Sequence, residues 1–319
     1  MRNYELTHRT TYTYPEPVTS SYGQALLLPR RTNEQVIHRS HLDVTPVPRE
    51  RRNHEDFTGN RLAWFHVTEP HTVLEVVSHS IVSVDRPHVA AATLPQLAWD
   101  QVAALVRAVR TGGRPGDGTH PSPLEVLNIT SGSLPSDLAP LSDRAQALAL
   151  DTFVPGQPLA SAVAALSARI HRTFEYRSGS TTIATPLEEV LETGRGVCHD
   201  FAHVMIAALR ALGLSAMYVS GYLETSPPGR NGLRGVDATH AWVAVWFPGA
   251  GWVHLDPTNN GFIDDRYVIL GWGRDFRDVS PLRGIVYTEG SGSRHSAEVE
   301  LRAISADELG ARLHGAERA

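Results

Sequence analysis

Residues 194–213 read GRGVCHDFAHVMIAALRALG, and this stretch decides the fold. Gly194 and Gly196 let the backbone turn sharply into a run whose apolar positions Phe201, Met205, Leu209 and Leu212 share one helical face. Gly213 ends the run. The spacing predicts a helix that starts at or near Cys198. Unpaired amide N–H groups and the helix dipole favour an anion there, so the sulfur is favoured as a thiolate. The same amides can hold an oxyanion formed beside it. Cys198 lies in register with Phe201 and Met205, which turns it toward whatever the helix packs on.

The expected packing partner is the sheet that follows. In ATHAWVAVWF (238–247), His240, Trp242, Ala244 and Trp246 share one face of a strand. After PGAG (248–251), the strand WVHLDP (252–257) puts Trp252, His254 and Asp256 on one face. A hairpin folding back near Pro248 to Gly251 brings His240 and Asp256 close to opposite one another, and a later turn shifts the register by up to about three residues. A carboxylate that holds an imidazole is what a thiolate–imidazolium pair needs.

Upstream, Leu159, Val163, Leu166, Ile170 and Phe174 keep helical spacing. Thr185-Pro186-Leu187-Glu188 reads as a capping box opening a short helix that stops near Gly194. Strands are expected at 214–224, 239–247 and 252–256, with a closing pair near 284–288 and 297–304. At the other end, Tyr4, Leu6, His8, Thr10 and Tyr12 share one face of an extended segment, and segments near 36–45, 61–68 and 72–84 are rich in strand formers. The arginine-rich stretch Pro46 to Asn53 reads as a solvated loop. Between the two halves, Leu97 to Arg110 reads as a helix, and GGRPGDGTHPSP after it as a loop. The expectation is an α+β chain. It comprises an N-terminal antiparallel β domain (1–85), a helical and loop connection (86–157), a catalytic core with C-terminal strands (158–305) and a tail (306–319).

At 319 residues the chain is long enough for about two domains. Its 41% hydrophobic and 20% charged residues suit a globular, core-forming protein. No apolar run reaches the roughly 18 residues that span a bilayer. The opening MRNYELTHRTTYTY has no apolar h-region, so a cytoplasmic protein is expected. A net charge of −5 gives no basic field for nucleic acid or an anionic membrane. One cysteine means no internal disulfide and no Cys-rich metal site. All 29 basic residues are arginine, which reads as biased composition.

Three strings together, GVCHDFAHVMIAALRALGLSAMYVSGYL, DATHAWVAVWFPGAGWVHLDPTNN and GRDFRDVSPLRG, resemble the bacterial transglutaminase-like superfamily over roughly 158–305. The strand-rich N-terminal region resembles the β domain that precedes the core in one bacterial branch. The resemblance implies a papain-like core with Cys198 as nucleophile, His240 as base and acid, and Asp256 as orienter. It also implies acyl transfer from a peptide or protein amide through a thioester, without a cofactor, to water or an amine. Hydrolysis is the favoured outcome, because water is abundant and no amine-binding feature is visible. Two positions depart from the branch: His199 stands where Gln is frequent, and Ala244 where Glu is frequent. Both bear on substrate choice. Tyr176, in FEYRSG, is the candidate helper for the oxyanion, against a plain buried aromatic.

Other readings compete. His199 and His203 at i and i+4 match the zinc-peptidase form HExxH, with Asp200, whose shorter arm fits a general base less well, in place of the Glu, and a third ligand recruited from His240 or Asp256. Against that, Asp200 caps the helix start, His203 is packed or lines the site rim, and His199 and Trp242 line the rim. A non-catalytic binding module of the same fold is the third reading. Thr225 to Val236, TSPPGRNGLRGV, is either a substrate lip or an ordinary loop.

Overall fold

The computed structural model describes residues 1–112, 121–225 and 239–314. Five strands open the chain: β1 (Arg2–Ala25), β2 (Gln35–Thr45), β3 (Glu50–Glu55), β4 (Arg61–Val67) and β5 (His71–Val84). They pair antiparallel in the order β2-β5-β1-β4-β3. The alternation read from the sequence holds in β1, where Tyr4, Leu6, His8 and Thr10 are buried. Part of the expected loop Pro46–Asn53 differs. From Glu50 on it is strand β3, paired to β4 at the sheet edge and exposed throughout. Charged side chains on an edge strand keep it from pairing with another chain.

Four helices follow: α1 (Trp99–Arg110), α2 (Pro123–Gly132), α3 (Asp143–Leu150) and α4 (Leu159–Thr173). The connection is therefore more helical than its sequence suggested. Ser122 caps α2 by accepting from the Glu125 amide, with Pro123 at the first helical position, and Ser142 caps α3 by accepting from the Ala145 amide. Most of the expected loop Gly112–Pro123 lies outside the described residues. In α4, Leu159, Val163, Leu166 and Ile170 are fully buried, as their spacing predicted.

A two-residue strand β6 (Glu175–Tyr176), helix α5 (Leu187–Thr193) and a second short strand β7 (Arg195–Gly196) lead into α6 (Cys198–Ala211). Thr185 does not cap α5 as expected. Its hydroxyl accepts from the Thr182 amide, while the Glu189 and Val190 amides bond to Pro186 O. Every residue of α6 from Asp200 to Arg210 is buried, which marks a central core helix.

The second sheet contains β8 (Ala216–Leu223), β9 (His240–Phe247), β10 (Gly251–Asp256), β11 (Gly261–Phe262) and β12 (Tyr267–Gly273), in the order β11-β10-β9-β8-β12. One face of β9, carrying Ala241, Val243 and Val245, packs with α6 in the main core. Trp242 and Ala244 fall on the other face, among Met217, Val219, Ile263, Tyr267 and Ile269. The face expected to meet the helix is thus the opposite one, because small and β-branched side chains let α6 approach more closely than indoles would.

The last elements are β13 (Leu282–Thr288), β14 (Arg294–Ile304) and α7 (Ala306–His314). The sequence grouped the closing strands with the core and left 306–319 as a tail. Both strands instead return to β1, β14 along Asn3–Thr13 and β13 along Val18–Ala25. The cause is the length of β1: β5 covers only one side of its first half, and β14 supplies hydrogen-bond partners for the other. Residues 306–314 of the expected tail are helical, with Glu308 bonded to Ser305 at the helix start. The two sheets are clamped by buried polar contacts. Gln35 bonds through both ends of its amide to the Ile269 backbone at 2.8 Å, and His8 Nδ1 meets the Tyr222 hydroxyl at 2.8 Å. No helix among the described residues is long and apolar enough to cross a membrane.

Candidate active site

Cys198 sits at the first turn of α6, half-buried and free. The approach is built by two glycines with different tasks. Gly194 takes the left-handed conformation (φ 63°) that ends α5. Gly196 lies against Asp200, where an added Cβ would come within 2.8 Å of the Asp200 Cβ. That closeness lets Asp200 Oδ2 accept from the Val197 amide (2.8 Å) and the Thr181 hydroxyl (2.5 Å). Asp200, the third residue of the helix, reaches back to the N-cap amide of Val197, and its carboxyl is lowered: burial opposes, while the neighbouring His199 and these hydrogen bonds outweigh it. The Asp200 and Phe201 amides are the first to bond back to Val197 O, leaving the amides of Cys198 and His199 ahead of them at the helix mouth.

His240 opens β9 and Asp256 closes β10. The hairpin turns around Gly249 (φ 82°), so Phe247 pairs with Gly251 and Leu255 with Val243. This is later than a turn centred on position 248. It puts Asp256 opposite Trp242 in register, diagonal to His240 but on its face. The diagonal suffices: His240 Nε2 donates to Asp256 Oδ2 at 2.8 Å, with both side chains buried. His240 Nδ1 is buried without a conventional hydrogen-bond partner among the described residues. Burial would lower this imidazole, but the Asp256 charge and hydrogen bond, followed by the Cys198 thiol, raise it well above the ordinary range. With Nε2 committed to Asp256, Nδ1 is the nitrogen left for Cys198. The Cys198 charge also acts on Tyr218 of β8, whose phenol is raised first by burial.

Asp256 divides its contacts between a local turn and His240. Oδ1 accepts from the Thr258 amide at 2.8 Å and the Asn259 amide at 3.3 Å, the local turn expected after Asp-Pro. Oδ2 takes His240, the Asn259 side-chain amide (2.7 Å) and the Tyr267 hydroxyl (2.9 Å). Burial opposes its ionisation, and the His240 charge with these bonds holds the carboxyl below its usual range. Sequence reasoning missed Asn259 and Tyr267. The Asp-Pro-Thr-Asn turn was a legible signal for Asn259. Tyr267 had none, since it arrives on β12 from the far edge of the sheet.

The remaining expected residues separate. Tyr176 is placed beside the entry to α6, because β6 pairs parallel with β7 and Tyr176 faces Gly196. Its ring meets Phe201 edge-on at 6.2 Å. Trp242, expected on the rim, is fully buried. It lies behind His240 at 6.0 Å between rings, with its N–H donated to His254 Nδ1 at 3.1 Å. The physical reason is its face, which points away from α6 into a closed cluster. His199 is the more exposed of its pair, with Nε2 3.2 Å from Asp200 Oδ1. His203 is packed: it stacks on Tyr218 at 4.9 Å, and its Nε2 accepts from the Phe276 amide. Burial lowers its imidazole to about 4. Among the described residues no group of three ligand atoms includes His199 or His203. The expected lip Thr225–Val236 lies outside the described residues from 226 on.

Comparison with known proteins adds to this geometry. Residues 4–83 match the bacterial transglutaminase-like N-terminal region, and residues 146–257 match the transglutaminase-like superfamily core. An uncharacterized protein of Mycobacterium tuberculosis is 42% identical over 96% of this chain and 94% of its own length. One from Mycobacterium leprae is 30% identical over 89% and 93%. A protein-glutamine gamma-glutamyltransferase of Pseudomonas aeruginosa is 37% identical over 32% of this chain and 16% of its own length. Among solved structures, a proposed cysteine protease from Cytophaga hutchinsonii superposes with a TM-score of 0.72. It shares 23% identity and covers 96% of this chain and 92% of that one.

Proposed function

The chain belongs to the bacterial transglutaminase-like superfamily and is a cysteine enzyme of that family, and on that premise we propose that it cleaves amide or peptide bonds by acyl transfer through a Cys198 thioester. The observation that carries the reading is the buried 2.8 Å hydrogen bond between His240 and Asp256, with the free ring nitrogen left to Cys198. In this mechanism the Cys198 thiolate attacks the amide carbonyl carbon and the C=O π pair moves to oxygen. The amides at the mouth of α6 stabilise that oxyanion, and Tyr176 stands beside them. As the C–N bond breaks, protonated His240 gives its proton to the departing amine. Water then attacks the thioester with His240 as base, releasing a carboxylic acid and restoring the thiolate–imidazolium pair. Asp256 stays ionised and holds the imidazole in one tautomer.

Water is the proposed acceptor, and the substrates are peptide or protein amides. The Pseudomonas relative is named for gamma-glutamyl transfer, so transfer to an amine is the competing branch. The experiment is mass spectrometry of products from an amide and peptide library in ¹⁸O-labelled water, with and without a primary amine. Hydrolysis places ¹⁸O in the released acid. Capture by the amine in preference to water would make the enzyme a transamidase. Turnover that persists in Cys198→Ala would remove the cysteine mechanism altogether.

A further inference from the structure

A second group of chemically capable side chains lies on the other sheet. His41 and Asp43 are two residues apart on β2 and therefore share a face, and His79 on β5 pairs directly with His41. Asp43 Oδ2 is 3.5 Å from His41 Nε2 and 4.0 Å from His79 Nε2. One ligand atom from each of the three falls within 4.8 Å of the others. The imidazoles stack at 5.1 Å between rings and 28° between planes, so both present their edges to the same carboxylate. On the next strand, the Thr7 hydroxyl lies 3.2 Å from His79 Nδ1. When Nδ1–H donates to it, Nε2 is left with its lone pair turned toward Asp43.

We propose that His41, Asp43 and His79 bind a divalent transition-metal cation of the zinc class on the outer face of the N-terminal sheet. Two neutral imidazoles and one carboxylate are a zinc donor set, with a fourth position open to water. Bonds of about 2.0–2.1 Å to a tetrahedral ion require ligand atoms about 3.3 Å apart. The observed spacings approach that value, and rotation of half-exposed side chains closes the rest. Thr7 supplies the outer hydrogen bond that fixes the tautomer of a metal-bound histidine. The arginine in the same register row as Asp43, Arg9, is neutralised by Glu75 at 2.5 Å. The backbone supports the geometry, since a directly paired His41–His79 couple and an i+2 carboxylate are held by the sheet ladder. A bound ion would cross-link β2 to β5.

The test is calorimetric titration with zinc sulfate of the tag-free 319-residue chain carrying Cys198→Ala, which removes its only thiol from competition. One ion per chain is expected. His41→Ala, His79→Ala and Asp43→Asn should each weaken binding more than about tenfold, and Thr7→Val by about tenfold, the effect of losing an outer partner. Circular dichroism without metal should show each variant folded, as expected for half-exposed positions. Absence of binding, binding unchanged in all three ligand variants, or binding lost instead in His199→Ala and His203→Ala would overturn the site.

Discussion

The Tyr267 hydroxyl donates to Asp256 Oδ2 at 2.9 Å, on the same oxygen that accepts from His240 Nε2 at 2.8 Å. One carboxylate oxygen thus joins β9, β10 and β12, and the third strand of that junction contributes a residue with no apparent chemical role of its own. In the proposed mechanism Tyr267 is a positioning residue. Burial opposes ionisation of the Asp256 carboxyl, and the Tyr267 hydrogen bond adds to the His240 charge and the His240 and Asn259 bonds that keep it ionised.

Tyr267→Phe removes that bond from a buried anion, a loss of about 1.5–3 kcal/mol by the usual worth of hydrogen bonds to charge. The Asp256 carboxyl then titrates higher. The acid limb of the pH–rate profile is expected to move to higher pH, with kcat falling more than KM changes. An unmoved profile in a folded but less stable variant would make Tyr267 purely structural.

The pair itself predicts a pH window. His240 is raised in the fold, so its contribution is complete below about pH 6.5 and is lost as pH rises through the folded value. Asp256 is lowered, so its contribution is complete above about pH 3.9 and is lost as pH falls through the folded value. The stability difference between wild type and Asp256→Asn should be widest between about pH 4 and 6.5 and should narrow on both sides. Urea denaturation across that range measures it, and a gap constant with pH contradicts the assignment.

Three other histidines work in the opposite sense. Burial lowers His8 and His203 to about 4 and His254 to about 3. The unfolded chain gains protons on these residues below about pH 6.5 while the folded chain does not, so stability drops as pH falls, by up to about 1.4 kcal/mol per pH unit for each. His8→Gln and His203→Gln should each flatten the stability profile between about pH 6.5 and 4 relative to wild type. Parallel profiles would show that these rings are protonated in the fold.

Gly221 sits opposite His240 in the ladder between β8 and β9. A Cβ there would lie 2.2 Å from Val268 O and 2.3 Å from Trp242 Cη2. Neither a strand backbone nor a fully buried indole gives way cheaply, so Gly221→Ala should cost at least the 1–3 kcal/mol typical of overpacking, about 2 kcal/mol or more. Thermal unfolding reads this directly, and an unshifted midpoint would mean that the indole has room to move.

The sequence was most informative where periodicity and special backbone positions coincide. Gly194, Gly196 and the apolar run from Phe201 made α6 legible, and the alternation around His240 and Asp256 made the hairpin legible. What stayed hidden was long-range pairing. Nothing local in 282–304 says that β1 is long enough to need partners on both sides, so β13 and β14 read as neighbours of the core. The two faces of β9 are both apolar, so alternation could not tell which one meets α6; Trp242 was misplaced on the rim for that reason. Short helices α2 and α3 lacked a strong apolar stripe and were announced only by their serine caps.

The measurement that bears most directly on the central claim needs no substrate. It is the rate of Cys198 alkylation by iodoacetamide as a function of pH, in wild type, His240→Ala and Asp256→Asn. If the imidazolium held by Asp256 stabilises the thiolate, wild-type alkylation should remain fast near pH 6. Loss of either partner should slow it there by about tenfold or more, with little change near pH 9, where an unassisted thiol is itself ionised. Identical pH profiles in three folded proteins would contradict the account.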